Sequence, residues 1–217
     1  MMIEAMKFLI VDDHPVVRHG LGALLQQNEP EAAILLANHA QEGLHIAESN
    51  DDLDAVFLDL SMPGITGMQA IEEFGKRRPA LPVIVISSSE DPEDVRRALA
   101  LGALGYVPKS AGSHTILSAL RLVLSGEVYI PALMLFSATA SVEKTVTRGG
   151  PAAIDQLTER QIEVLKLLAD GLQNKEIAYG LGLAEKTVKT HVSAIFKTLN
   201  VINRTQAASL ARKAGLI

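Results

Sequence analysis

The stretch Lys7-Phe8-Leu9-Ile10-Val11-Asp12-Asp13-His14-Pro15 decides the reading of the front of this chain. A short apolar run ends in two acids, and a proline then opens a helical pattern. The apolar run is continuous rather than alternating, as in a strand buried on both faces of a parallel sheet. The same unit recurs downstream. Strands are predicted at 7–11, 33–37, 55–58, 83–86 and 104–107, with helices at 15–27, 40–48, 67–77, 92–101 and 113–125. Five strand–helix units in series predict an α/β doubly wound, five-stranded parallel sheet covered by helices on both faces.

The pattern then changes. Residues 137–151 are rich in Ser, Thr and Ala and end in Arg148-Gly149-Gly150-Pro151, a helix-breaking cluster. Beyond it only helical patterns appear. Thr158-Glu159-Arg160-Gln161 is a capping box, and its helix ends at Asp170-Gly171. A short helix at 174–180, a turn at Gly182 and a longer helix at 185–199 make a helix-turn-helix. Asn203 and Gln206 repeat the cap logic for a last helix. The expected organisation is a domain at 1–130, a linker at 131–153 and an all-α, four-helix domain at 154–217.

Composition bounds the function. With 48% apolar and 21% charged residues the chain can bury a core, which excludes wholesale disorder. The absence of cysteine excludes disulfides, thiolate metal sites and a cysteine nucleophile. The longest stretch without Asp, Glu, Lys or Arg is 128–142, too short to span a bilayer and interrupted by Pro131. Acids flank the first apolar run, unlike a signal peptide. The reading is a soluble cytoplasmic protein with no membrane partner. Residues 154–217 carry a net charge of +3 and the remainder −8. That asymmetry suggests two domains with different partners, the basic one a candidate for nucleic acid.

In a parallel α/β sheet, ligands collect outside the carboxyl ends of the strands. Asp12 and Asp13 follow the first strand, Asp59 the third, Ser87 the fourth and Lys109 the fifth. Two carboxylates about 4 Å apart repel by about 4 kcal/mol at an effective dielectric near 20. A cation must offset this, and hard oxygen ligands favour Mg²⁺. Lys109 supplies a point charge for phosphate oxygens and Ser87 a hydroxyl donor. Such a set can accept a phosphoryl group on a carboxylate and hold the product. In the C-terminal domain, Lys186, Lys189, Thr190, Ser193 and Lys197 share one broad helix face, with Thr187 beside them. Val188, Val192, Ile195, Phe196 and Leu199 form the opposing apolar stripe. This helix could lie in a major groove, or present a plain solvated face. His14 reads as a solvated helix start, and Met62, Met68, Met134 and Phe136 as packing residues.

Phe8 to Pro15, Leu58-Asp59-Leu60-Ser61-Met62-Pro63-Gly64, Val85-Ile86-Ser87 and Gly105-Tyr106-Val107-Pro108-Lys109 resemble the receiver domain of bacterial two-component response regulators. The resemblance implies that Asp59 accepts phosphate from a sensor histidine kinase. It implies that Asp12, Asp13, Asp59 and the carbonyl of Ser61 hold Mg²⁺, that Ser87 and Lys109 contact the phosphate, and that Tyr106 turns inward on activation. Ser88 stands where such receivers usually carry alanine. Leu157 to Leu165, Asn174-Lys175-Glu176-Ile177-Ala178 and Lys186-Thr187-Val188-Lys189-Thr190-His191 resemble the LuxR-type DNA-binding domain. Together the two are similar to the NarL/FixJ class of response regulators. That class implies base or groove contacts from Lys189 and Thr190, and backbone contacts from Lys186, Thr187, Lys197 and Arg204. It also implies homodimers on a two-fold related site in double-stranded DNA, formed through the last helix at 205–214 and promoted by phosphorylation, with RNA polymerase a further candidate partner. Gln161, Ser193 and Ala184 depart from the usual pattern, Ala184 at a helix-cap position.

The chain is therefore expected to be a phosphorylation-switched transcription factor rather than an enzyme. Three alternatives stay open at this level. An aspartyl-phosphate phosphohydrolase would need a second acid two residues past Asp59, where Ser61 stands. A small-molecule-sensing regulator would not need the Asp, Ser and Lys set. A regulator could also bind DNA independently of phosphorylation.

Overall fold

The computed structural model describes residues 5–124, 127–131, 154, 156–183, 185–201 and 204–217. The chain forms two compact units. Residues 132–153, which hold nearly all of the expected linker together with Met134 and Phe136, lie outside the described residues.

The first unit runs β1 (Lys7–Val11), α1 (Pro15–Asn28), β2 (Ala33–Ala37), α2 (Ala40–Ser49), β3 (Ala55–Asp59), α3 (Gly67–Arg77), β4 (Val83–Ser87), α4 (Pro92–Ala100), β5 (Gly105–Pro108) and α5 (Ser113–Leu124). The strands are parallel in the order β2-β1-β3-β4-β5. Side chains alternate across a strand, and the two faces bury different sets. Leu9, Val11, Val56, Leu58, Val83, Val85 and Tyr106 pack against Leu44 of α2, Ile71 and Phe74 of α3, and Val95 and Ala98 of α4. Phe8, Ile10, Ala55, Phe57, Ile84, Ile86 and Val107 face Leu21 and Leu25 of α1 and Ala119, Leu120 and Val123 of α5. Both faces are apolar, which is why the strands read as unbroken runs.

The strands β3, β4 and β5 each extend one residue past the expected end, so Asp59 and Ser87 are the last residues of β3 and β4. Ladder pairing of Asp59 with Ile86 and of Ser87 with Pro108 fixes their backbones. The loop after Asp59 is tightly packed. A side-chain carbon at Gly67 would lie 2.3 Å from Leu60 Cα and 2.7 Å from the Asp59 carbonyl oxygen. Glycine there lets α3 start directly against the end of β3. Thr66 and Gln69 cap α3 reciprocally, and buried Met62 anchors the loop.

The second unit holds α6 (Glu159–Ala169), α7 (Asn174–Leu181), α8 (Glu185–Leu199) and α9 (Arg204–Lys213). The expected capping box of α6 is present: Thr158 Oγ1 accepts the Gln161 N–H (3.3 Å), and Gln161 Oε1 accepts the Thr158 N–H (2.9 Å). Ala184 and Asn203 lie outside the described residues. Among the described residues no helix is long and apolar enough to cross a membrane.

Candidate functional site

Four adjacent strands deliver polar side chains to one end of the sheet. Asp12, just past β1, is 2% exposed; Asp59 is 1% exposed and Ser87 is fully buried. The Lys109 ammonium nitrogen lies 2.9 Å from Asp12 Oδ2 and 2.9 Å from Asp59 Oδ2, bridging the two carboxylates. Its own backbone N–H donates to the Ser87 carbonyl (2.7 Å), tying the turn after β5 to the end of β4. Burial alone would push the Lys109 ammonium down; its contacts with Asp12 and Asp59 outweigh that and hold it above the ordinary lysine value. With a raised value, the stabilisation is fully present below the ordinary lysine range and is lost only as pH rises through the raised one. The bridge is intact throughout the neutral range.

Asp12 is held from several sides. Its Oδ1 accepts the His14 N–H (2.8 Å), which turns the chain into α1. Arg18 of α1 donates to its carbonyl. Asp59 differs: among the described residues neither carboxylate oxygen accepts a well-formed hydrogen bond, and Lys109 meets it as a charge contact. Asp13 is partly exposed beside it. His14 is the N-cap residue of α1, as the solvated-start reading has it. Its ring also lies over the acids, with Nδ1 2.8 Å from Asp13 Oδ1 and 3.3 Å from Asp12 Oδ1. One ligand atom from each of Asp12, Asp13, His14 and Asp59 falls within 4.8 Å of the others. Ser61 and Ser88 sit exposed on the loops after β3 and β4.

Tyr106, expected to turn inward on activation, lies inward here: its ring is fully buried in the α2–α3–α4 face, and its hydroxyl donates to the Ser89 carbonyl (2.8 Å). Burial pushes the phenol up, partly opposed by hydrogen bonding to Ser87 and Ser89. None of these contacts involves Asp59.

In the second unit, α7 ends at Gly182, in the left-handed region at φ 64°, where Leu183 N–H donates to the Ala178 carbonyl (2.9 Å). The chain thereby reverses into α8. Val188, Val192, Ile195, Phe196 and Leu199 are all buried, as the apolar stripe requires. Thr190 and Lys197 are exposed and Thr187 half-buried. Lys189 is largely covered and pairs with Glu185 at 3.6 Å. The side chains of Lys186 and Ser193 lie outside the described residues.

Residues 8–121 match the response regulator receiver domain, and residues 155–211 match the LuxR family of bacterial regulatory proteins. This chain is a response regulator of the NarL/FixJ class. The regulator is 34% identical over 204 residues to the glycerol metabolism activator of Pseudomonas putida, covering 93% of this chain and 92% of that one. It is 33% identical to the nitrate/nitrite response regulator NarL of Escherichia coli, covering 94% of each. Among solved structures it resembles ChrA, the response regulator of a heme-sensing two-component system, at 27% identity and a TM-score of 0.51 over 99% of this chain and all of that one. The RcsB–DNA complex shares the fold at 24% identity and a TM-score of 0.55, over 96% of this chain and 98% of that one. The family is one of DNA-binding transcriptional regulators, not enzymes, which removes the phosphohydrolase alternative.

One expected DNA contact in the regulator is otherwise engaged. Arg204 turns inward and donates to the carbonyls of Leu168 (3.0 Å) and Leu172 at the end of α6. Burial lowers its pKa to about 10, which leaves it charged at neutral pH. The last carbonyls of a helix lack intrahelical donors, and the guanidinium supplies donors there. Arg212 does the same for Ala169 (2.8 Å), and Arg160 for Leu181 at the end of α7 (2.6 Å). No local sequence signal marks these three, because their acceptors lie 21 to 43 residues away. Arg204→Ala should therefore destabilise the second unit by about 1–3 kcal/mol, since it removes charged hydrogen bonds to the Leu168 and Leu172 carbonyls. Chemical denaturation of the full chain, followed by a probe in α6, checks this. An unchanged midpoint with weakened DNA binding would restore Arg204 as a phosphate contact.

Proposed function

We propose that Asp59 is the phosphoacceptor, that a sensor histidine kinase is the donor, and that the modification controls dimerisation and DNA binding. The observation that carries this is the Asp59 carboxylate itself: buried at the end of β3, bridged to Asp12 by Lys109, and otherwise without hydrogen-bond donors. An acceptor oxygen in this setting is directed toward an incoming phosphorus rather than tied up by the fold. It forms the new O–P bond as the bond to the donor breaks. Lys109 is within reach to neutralise a phosphoryl oxygen, and the Ser87 hydroxyl to donate to another. The donor set fits a magnesium ion: hard oxygens from Asp12, Asp13 and Asp59 lie close together, and buried oxygens on Asp13 and Asp59 accept no hydrogen bond among the described residues. Bound by these three and the Ser61 carbonyl, Mg²⁺ would supply charge neutralisation for the phosphoryl oxygens. Supplied with Mg²⁺ and a small phosphodonor, the chain should gain one acid-labile acyl phosphate, and Asp59→Asn should gain none. Intact-protein mass spectrometry reads this out; equal labelling of both proteins would sink the assignment.

For DNA, the reading places α8 in a major groove, with Lys189 and Thr190 toward base edges and Lys186, Thr187 and Lys197 toward phosphates. Two copies on a two-fold related site follow from symmetry, with α9 the expected contact between them and RNA polymerase a candidate partner. A regulator of chromosomal DNA would act in the cytoplasm, and that is the location we propose. A phosphorylation-independent mode of binding is favoured by one observation, the inward pose of Tyr106, which is held by contacts that do not involve Asp59. Losing a base contact costs roughly 1–3 kcal/mol at the cognate site, whereas losing a phosphate contact weakens all sequences and lowers the salt slope by about one. Lys189→Ala should thus narrow the gap between operator and random DNA, and Lys197→Ala should lower both together. Titrations at several salt concentrations separate the two, and undiminished discrimination in Lys189→Ala would remove that residue as a reader.

A further inference from the structure

Ser89 lies two residues past Ser87, between β4 and α4, and every polar atom it has is engaged. Its N–H donates to Ser87 Oγ (3.1 Å), and its carbonyl accepts the Tyr106 hydroxyl (2.8 Å). Its own hydroxyl donates to Asp94 Oδ2 in the first turn of α4 (2.6 Å) and accepts the N–H of Asp91, the N-cap of α4 (3.3 Å). A serine hydroxyl has one donor and two acceptor lone pairs, so both contacts are satisfied together. The Ser87 oxygen likewise accepts Ser89 N–H while its own O–H proton stays available to another acceptor. One side chain therefore pins the carbonyl that holds Tyr106 to the start of α4.

We propose that the Ser89 hydroxyl and the Asp94 carboxylate form a latch that holds Tyr106 inward independently of Asp59, and so sets how readily Asp59 takes a phosphoryl group. The second half rests on Asp59 being the acceptor. If the phosphoryl group favours the Tyr106-in arrangement, any contact favouring that arrangement must favour acceptance of the group. Ser89 and Asp94 are then positioning residues, acting through Tyr106 and Ser87.

The test uses the full chain carrying fluorotyrosine at its three tyrosines, followed by fluorine NMR, with Tyr106→Phe assigning the resonance. Ser89→Ala and Asp94→Ala should each move the Tyr106 resonance toward that of exposed Tyr179, while Tyr129 and Tyr179 stay in place as evidence of an intact fold. Asp94→Asn keeps a carbonyl oxygen as acceptor and should retain the original position. The double alanine variant should move it no further than either single one. Labelling of Asp59 by a small acyl phosphate should slow by about two- to tenfold in Ser89→Ala, the factor expected for one lost hydrogen bond. A Tyr106 resonance unmoved in both alanine variants, or moved as far by Asp94→Asn as by Asp94→Ala, would overturn the latch. A moved resonance with unchanged labelling would overturn its link to phosphorylation. A wild-type chain that takes up no phosphate, with Tyr106 still responding, would retire the Asp59 reading and leave the latch supported.

Discussion

The ammonium of Lys109, 2.9 Å from a carboxylate oxygen of each of Asp12 and Asp59, is the contact on which the first unit's chemistry depends. Parallel strands bring Asp12 and Asp59 to one end of neighbouring β1 and β3 and bury both almost completely. Buried charges persist only when paired, and the turn after β5 carries the cation that does this. The arrangement leaves Asp59 short of hydrogen-bond donors among the described residues. The fold around it serves the same end: Gly67 lets α3 close against β3, and the ladders to Ile86 and Pro108 fix the backbones of Asp59 and Ser87.

Much of this was legible before any coordinates. Continuous apolar runs announced buried parallel strands, and five polar residues after four of them marked the end where the site forms. The residue types alone singled out Asp12, Asp59 and Lys109, which the fold brings together. The apolar stripe of α8 was equally plain from its spacing. What could not be read were contacts set by tertiary geometry. Arg204 stands in a basic helix start and looks like a phosphate ligand; only the fold brings the carbonyls of Leu168 and Leu172 to it. Arg78 is a parallel case in the first unit, donating to the carbonyls of Ala47, Asn50 and Asp51 at the end of α2, with burial pushing its pKa down. The pose of Tyr106 and the ring of His14 over the acids also depend on rotamers, which no spacing rule encodes.

The two units divide the work by charge and by shape. The acidic unit concentrates its polar groups at the carboxyl ends of its strands. The basic unit spreads lysines and threonines along α8, and three of its arginines donate to carbonyls at helix ends. Lys189 is itself paired with Glu185, an ion pair of the kind worth a few tenths of a kcal/mol on a helix surface.

The central claim is that Lys109 offsets the mutual repulsion of Asp12 and Asp59, and a double-mutant cycle on thermal unfolding of the full chain in the absence of divalent cations tests it most directly. Lys109→Met should lower the unfolding temperature of the first unit strongly, because it leaves two buried carboxylates without a partner. Introducing Asp59→Asn into that background should recover most of the loss, since one of the two charges is gone. Strictly additive effects of the two substitutions would contradict the account, for they would mean that Lys109 and Asp59 do not interact.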